Sequence, residues 1–177
     1  MVRELKDTQS PIAHVPRRYD LVILDLDLTL WDHEDASSLN PPFERRSEDS
    51  AADSSGELVT LKPHAREFLE RCRREGVRVS VASWNKPEVV FPLLEALGLL
   101  EFLWRPVIEF HPDKVKMVRK ILAELGPGWR GRALFVDDRR VNVESVSRAF
   151  DNVDALEFES DVADFRQIEK IVFGGDP

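Results

Sequence analysis

Carboxylate side chains follow the first apolar stretch of the sequence, where they could carry chemistry. In YDLVILDLDLTLWD, residues 19–32, Asp25, Asp27 and Thr29 come directly after the apolar run LVIL. In one interpretation these three polar residues share the solvent face of an amphipathic strand, because residues two apart point the same way. In the other, the strand is buried on both faces and the carboxylates lie beyond its end, facing a ligand. This segment alone leaves both interpretations open.

The rest of the chain predicts helices and strands in alternation. Strands are predicted at residues 20–26, 77–83, 105–110, 132–138 and 153–158, and helices at residues 63–76, 86–99, 113–126, 142–150 and 161–173. Gly76 and Asn142 are the expected C-cap and N-cap of two of these helices. The alternation predicts right-handed βαβ crossovers, and hence an α/β, three-layer Rossmann-like fold with a mostly parallel central sheet.

Polar residues end three of the predicted strands. Asp25, Ser83 and Asp137 each come at the carboxyl end of a strand, and in a parallel sheet these ends meet at the edge where ligands bind. Groups from distant parts of the chain are therefore expected to converge there. This convergence favours the ligand-facing interpretation of Asp25 and Asp27.

Composition limits the possible partners. A chain of 177 residues is expected to form one compact domain, and its net charge of −8 argues against a nucleic-acid or anionic membrane surface. The single cysteine, Cys72, excludes an internal disulfide and a cysteine-based zinc site. No apolar run reaches the roughly 20 residues that span a bilayer, and no signal-peptide core is evident. A cytoplasmic location with no membrane partner is predicted.

Four motifs follow one another along the chain: DLDLT, VASWN, PDKVK and FVDDRRVN. Their order and spacing resemble the haloacid dehalogenase superfamily of phosphotransferases, and the first and last motifs are the most specific in this strand context. Within the superfamily, DLDLTLW, NPPF, ASWN and FVDDRRVN are similar to the magnesium-dependent phosphatase family. The resemblance extends over residues 19–150 and implies a phosphatase.

The resemblance also implies a nucleophile and a metal. Asp25 would attack phosphorus to form an aspartyl-phosphate, and Mg²⁺ would neutralise the repulsion between carboxylate and phosphate. Asp25 and Asp137 would supply side-chain oxygen ligands and Asp27 its backbone carbonyl. Asp138 would bind the ion through water or orient its ligands.

The remaining implied roles concern proton transfer and phosphate binding. Asp27 would be the general acid for the leaving group and then the base that activates water, which favours hydrolysis over transfer alone. Ser83 and nearby groups of Trp84 and Asn85 would hold phosphoryl oxygens, and Lys114 would add positive charge.

Some assignments stay open from sequence. Lys114 and Lys116 both lie near the right place, and Lys114 is favoured because it sets the apolar face of its helix in the family's register. Thr29 is expected to support its loop through a hydrogen bond, and Ser83 could cap a helix as well as bind phosphate. Trp31 and Trp84 could line the site mouth or pack in the core. The histidines show no metal-ligand spacing.

The chain before the first helix is divided into two parts. Residues 1–18 are predicted to be an N-terminal extension to a phosphatase domain of residues 19–177, with a flap at about residues 38–61 as a minimal cap. PPFER and ELVTL are expected to pair as its hairpin. The acidic stretch SEDSAADSSGE would be mobile and would disfavour polyanionic substrates. An open site of this kind admits phosphotyrosine or phosphoproteins as well as small sugar phosphates.

Four other functions share part of this pattern. A response-regulator receiver also uses acidic residues, a hydroxyl and a lysine around Mg²⁺, but in a different order along the chain. A zinc-containing histidinol-phosphate phosphatase needs a Cys/His cluster that one cysteine does not supply. A non-catalytic interaction protein would lack a site residue, and none is missing. A nucleic-acid 3′-phosphatase is disfavoured by the charge balance.

Overall fold

The structure, a computed structural model, describes residues 17–174 of the chain. In chain order, the elements are β1 (Leu21–Leu24), a 3₁₀ helix η1 (Ala36–Ser38), β2 (Glu44–Arg45), β3 (Ser50–Ala52), β4 (Leu58–Thr60), α1 (Ala65–Glu75), β5 (Arg78–Trp84), α2 (Pro87–Ala96), a 3₁₀ helix η2 (Leu100–Phe102), β6 (Val107–Glu109), α3 (Lys114–Ala123), β7 (Ala133–Asp137), α4 (Arg140–Ala149), β8 (Val153–Glu157) and α5 (Phe165–Phe173).

The central sheet has five strands in the order β6-β5-β1-β7-β8, and every neighbouring pair is parallel. Strand β1 lies in the middle, and all four of its residues are fully buried. Burial on both faces explains why its sequence is a continuous apolar run instead of an alternating one. The α/β prediction is confirmed, although β1 is shorter than the predicted range 20–26.

Helices cover both faces of this sheet, which makes three layers. Val22 and Leu24 of β1 pack in one cluster with buried residues of α1, α2 and α5. Leu21 and Ile23 pack on the opposite face, in a second cluster with α3 and α4. Gly76 ends α1 as predicted, with a left-handed φ of 72° that favours glycine.

A second, small antiparallel sheet precedes α1, in the order β2-β3-β4. The predicted hairpin between PPFER and ELVTL is wrong, because β3 lies between them and pairs with both. Strand β3 is built from small residues that are all buried, and the Asp53 carboxylate that follows it accepts hydrogen bonds from the Ser55, Glu57 and Asn40 amides. Its small residues, one serine and two alanines, give no apolar alternation from which to predict a strand.

The predicted N-terminal extension falls almost entirely on residues 1–16, which lie outside the described residues. Within residues 17–174, no helix combines the length and the apolar character that crossing a membrane requires.

Candidate active site

Three carboxyl groups meet at the carboxyl edge of the sheet. Asp25 directly follows β1, and Asp137 ends the neighbouring strand β7, in a register that pairs Leu24 with Val136. The Asp25 amide donates to the Val136 carbonyl at 2.9 Å, which extends this pairing by one residue. One carboxylate oxygen from each of Asp25, Asp137 and Asp138 lies within 4.8 Å of the others. Parallel strand pairing thus brings together groups that are more than a hundred residues apart in sequence.

A buried lysine lies among these carboxylates. Lys114 is the first residue of α3, and its Nζ lies 2.6 Å from Asp25 Oδ1, 3.2 Å from Asp137 Oδ2 and 2.6 Å from the Ala82 carbonyl. Lys116 is exposed to solvent instead. Of the two candidates, the structure places only Lys114 beside the carboxyl cluster.

The cluster carries more negative than positive charge. Burial raises the pKa of Asp25 to about 8, and Asp137 adds to the rise while Lys114 opposes it. Burial and the Asp137 carboxylate also raise the pKa of Asp138. For Lys114, burial acts to lower the pKa, but the carboxylates of Asp25 and Asp137 outweigh it and raise the pKa. Three carboxyl groups against one ammonium leave room for a further cation.

Asp137 is held from the other side by the start of α4. The Arg139 amide donates to Asp137 Oδ1 at 2.9 Å, and the Asn142 amide side chain lies 3.1 and 3.0 Å from its two oxygens. The prediction that Asn142 caps this helix is therefore wrong, since α4 begins at Arg140 and Asn142 is its third residue. Its side chain instead fixes the orientation of a carboxylate in the cluster.

Asp27 is held by uncharged donors. Its Oδ1 accepts hydrogen bonds from Trp31 Nε1 at 2.8 Å and from the Ala36 amide at 3.2 Å, while its Oδ2 accepts from Asn85 Nδ2 at 2.8 Å. Burial raises the pKa of Asp27, although the donors Trp31 and Asn85 oppose the shift. Trp31 is fully buried, so of its two predicted placements the core is the one observed.

The residues predicted to bind phosphate do not all reach the open surface. Ser83 and Asn85 are buried, and Asn85 Nδ2 also lies 3.0 Å from Ser83 Oγ. Trp84, between them in sequence, is 44 % exposed. Ser83 lies within β5 and does not cap α2, whose N-cap is Lys86, so the capping prediction is wrong.

A cleft of about 520 Å³ opens over the carboxyl cluster. Its lining comprises Asp25, Asp27, Leu28, Glu34, Asp35, Ser37, Trp84, Phe110, Lys114, Asp138, Arg139 and Asn142. Leu28, Trp84 and Phe110 stand out because they are large, apolar and yet exposed. Leu28 also has a φ of 57°, a left-handed conformation that non-glycine residues rarely adopt and that concentrates at functional sites.

In the loop after β1, one residue of the site was not predicted and one prediction is wrong. Ser37, which lines the cleft and bonds to Asn85, lies in a Ser/Asp-rich stretch with no motif to mark it. The expected hydrogen bond from the Thr29 side chain is absent, since its buried hydroxyl has no partner among residues 17–174. The Thr29 backbone amide does bond to the Leu26 carbonyl, so the loop is supported by main-chain contacts.

The residues of the cluster fit a hard divalent cation. Carboxylate oxygens are the ligands that Mg²⁺ prefers, and Asp25, Asp137 and Asp138 offer three of them close together. The Asn142 and Arg139 hydrogen bonds hold one of these ligands in place, as is usual around bound metals.

Comparisons with known proteins identify the family of the chain. The family model described as acid phosphatase matches residues 17–155, and the chain belongs to that family. The phosphatase class and the family resemblance read from the motifs are confirmed.

Individual relatives point the same way. The chain is 30% identical over 139 residues to human magnesium-dependent phosphatase 1, covering 77% of this chain and 76% of that protein. A haloacid dehalogenase-superfamily hydrolase from Ehrlichia chaffeensis has the same fold, with a TM-score of 0.65 at 13% identity over 89% of this chain and 97% of that one. A second match is the N-terminal part of a Bacteroides fragilis protein, which contains a phosphatase domain and was solved in complex with Mg. Its TM-score is 0.58, at 18% sequence identity. That match covers 89% of this chain, which spans only 41% of the Bacteroides chain.

Proposed function

We propose that this phosphatase is a magnesium-dependent phosphomonoester hydrolase that works through an aspartyl-phosphate on Asp25. The observation that carries the proposal is the cluster of Asp25, Asp137, Asp138 and Lys114 beneath an open cleft. A carboxylate nucleophile and a phosphate can approach each other only if nearby positive charge offsets their repulsion. The cluster has the ligands for a cation and already contains one ammonium group.

The proposed reaction has two displacements at phosphorus. In the first, a carboxylate oxygen of Asp25 bonds to phosphorus while the ester oxygen leaves, and Asp27 donates its proton to that oxygen. In the second, Asp27 takes a proton from water as the water oxygen bonds to phosphorus and the Asp25–phosphorus bond breaks. Mg²⁺ held by Asp25, Asp137 and the Asp27 carbonyl, with Asp138 nearby, would supply Lewis-acid charge neutralisation.

Lys114 supports the first step from beneath the cleft. Its ammonium contacts Asp25 Oδ1 and the Ala82 carbonyl, so it fixes the rotamer of the nucleophile and adds charge beside the phosphoryl group. Ser83 and the Trp84 backbone are proposed to hold phosphoryl oxygens, and Asn85, whose NH₂ group bonds to Asp27 Oδ2 and Ser83 Oγ, is proposed to support them from behind. Because Ser83 is buried, it would reach the phosphoryl group only from below the cleft floor.

The mouth of the cleft favours an aromatic leaving group. Trp84 and Phe110 are exposed at 44% and 63%, and Leu28 lies in the same lining. Aromatic side chains bind planar rings by offset or edge-to-face packing. We therefore propose phosphotyrosine, free or in a phosphoprotein, as the preferred substrate class, with sugar phosphates hydrolysed more slowly.

The buried free thiol of Cys72 is compatible with the proposed cytoplasmic location.

The test is a panel of phosphomonoesters assayed with Mg²⁺ and with a chelator, on the native enzyme and on Asp25→Asn. Both the chelator and the substitution should remove nearly all turnover. Full activity in chelator would refute the metal assignment, and an active Asp25→Asn enzyme would refute the nucleophile. A substrate that is bound and phosphorylates the protein once without turnover would support the receiver-like alternative instead.

A further inference from the structure

Among the residues of the cleft, Ser37 has no role in the steps above, yet it makes three polar contacts at the site. Its hydroxyl lies 2.6 Å from Asn85 Oδ1 and accepts a hydrogen bond of 2.9 Å from the Lys86 amide. Its own amide bonds to the Asp35 carboxylate, which caps η1. Ser37 therefore joins η1 to the start of α2 directly over the site.

The donor and acceptor in each of these hydrogen bonds can be assigned by starting from the Asp27 carboxylate. A carboxylate only accepts, so the Asn85 group that faces Asp27 Oδ2 at 2.8 Å must be its NH₂. Asn85 Oδ1 then faces Ser37 and can only accept, which obliges the Ser37 hydroxyl to donate to it. The Ser37 oxygen is left free to accept from the Lys86 amide. The bonds run in one direction, from Lys86 through Ser37 and Asn85 to Asp27.

Hydrogen bonds in a series of this kind strengthen one another. Each donor is polarised by the bond that it accepts, and the middle member, Asn85, is buried away from competing water. The adjacent residue Ala36 contributes a direct amide bond to the other oxygen of Asp27. Both oxygens of this carboxyl group are thus oriented by the η1 segment.

We propose that Ser37 is a positioning residue that orients the Asp27 carboxyl group through Asn85. This inference rests on the proposed role of Asp27 as the proton donor to the leaving oxygen. Loss of the Ser37 hydroxyl would leave Asn85 Oδ1 unpaired and the amide held only through its NH₂ group, by Ser83 Oγ and Asp27 Oδ2, which loosens its hold on that oxygen of Asp27. The loss of kcat/KM on removing the Ser37 hydroxyl should therefore be larger for a substrate whose leaving group needs a proton.

The experiment compares kcat/KM for phenyl phosphate, a poor leaving group, and para-nitrophenyl phosphate, a good one, with Mg²⁺ present. Ser37→Ala should lower kcat/KM about tenfold for phenyl phosphate and less than about twofold for the nitrophenyl ester. The matched control is Ser38→Ala, which removes a neighbouring hydroxyl whose one hydrogen-bond partner within residues 17–174 is the Asp35 carbonyl. This control should keep both values within about twofold of the native enzyme.

Two further variants make the outcome decisive. Ser37→Thr retains a hydroxyl and should restore the phenyl phosphate rate, and Ser37→Ala added to Asp27→Asn should cause no further loss. The ratio of the two substrates is independent of the fraction of folded enzyme, so a poorly folded variant still gives an answer. Equal loss on both substrates, or an additive loss in the double variant, would overturn the inference. An active Asp25→Asn enzyme in the same series would overturn the proposed function instead.

Discussion

Asp25 and Asp27 are two residues apart and both line the cleft, but their carboxyl groups have different surroundings. Asp25 belongs to the sheet edge, where its neighbours are the charged groups of Lys114, Asp137 and Asp138. Asp27 belongs to the loop side, where its donors are an indole, a backbone amide and a side-chain amide. Both carboxyl groups have a raised pKa, and burial is the largest cause for each.

These different surroundings suit the two carboxyl groups to different roles in the reaction. A group surrounded by charge responds strongly to the arrival of another charge, such as a cation or a phosphate. A group held by neutral donors has no fixed charge beside it that must be displaced when it gains or loses a proton. The first environment suits a nucleophile that is neutralised on attack, and the second suits a proton carrier.

Among substitutions that keep both Asp25 and Asp27, the largest effect is expected from removing the positive charge of Lys114 beside Asp25. Lys114→Met should lower kcat by about 10²–10³-fold, because the nucleophile loses its fixed partner and the phosphoryl group a nearby positive charge. Steady-state kinetics on one aryl phosphate measures it.

The matched control is Lys116→Met, which removes the same charge from an exposed position two residues along the same helix. It should change kcat by less than about twofold. If Lys116→Met is as damaging as Lys114→Met, the ammonium beside Asp25 is not what matters.

The next prediction concerns competition between protons and Mg²⁺ for the Asp25 carboxylate. Without a cation, Asp25 has a pKa of about 8, so it is increasingly protonated as the pH falls below that value. Because Mg²⁺ binds the carboxylate, its affinity should weaken toward acid by up to about tenfold per pH unit, and binding near neutrality should release protons.

Calorimetric titration of the protein with Mg²⁺ in two buffers of different ionisation heat measures both quantities. An affinity that is the same at neutral and acid pH, with no buffer dependence, would contradict the charged-cluster account of Asp25.

A smaller effect is expected at the cleft mouth. Phe110→Ala should lower kcat/KM for phosphotyrosine by roughly 3–10-fold and leave a sugar phosphate nearly unchanged, because only the aromatic substrate packs against the ring. The comparison of the two substrates on one enzyme preparation is the measurement. Equal losses on both would indicate a general structural role for Phe110.

The smallest effect tests the acidic lining. The cleft is lined by Glu34 and Asp35, whereas no residue of SEDSAADSSGE contributes to it. Glu34→Gln should therefore raise kcat/KM for a polyanionic substrate by about twofold at low salt, and the gain should vanish at high salt. Glu70→Gln, an equal charge change on the exposed side of α1, should leave the rate unaltered.

The sequence was informative where topology controls position. The proximity of Asp25 and Asp137 could be predicted because parallel strands end at a common edge of the sheet, and that rule needs only the strand boundaries. The loop side gave no such rule. Ser37 and the role of Asn142 depend on the paths of short connections, where a shift of one residue changes every contact.

The small sheet shows the same limit for the fold. The segment around Asp53 has the Ser, Asp and Gly content of a flexible loop, yet it forms β3 and a tight turn in which the Asp53 carboxylate collects three backbone amides. The Ser55 hydroxyl and these backbone amides lower the pKa of Asp53, and their hydrogen bonds replace the hydrophobic pattern that sequence reasoning requires. Side-chain capping of backbone amides, rather than apolar alternation, organises this part of the chain.

The most direct test of the account is to trap the covalent intermediate. Asp27→Asn enzyme mixed with Mg²⁺ and an aryl phosphate should accumulate one phosphoryl group, because the base that activates water is missing. Acid quenching, digestion and mass spectrometry should locate the label on Asp25 and find none when a chelator is added first. A phosphoryl group on another residue, or complete turnover with no labelled protein at any time, would contradict attack by Asp25.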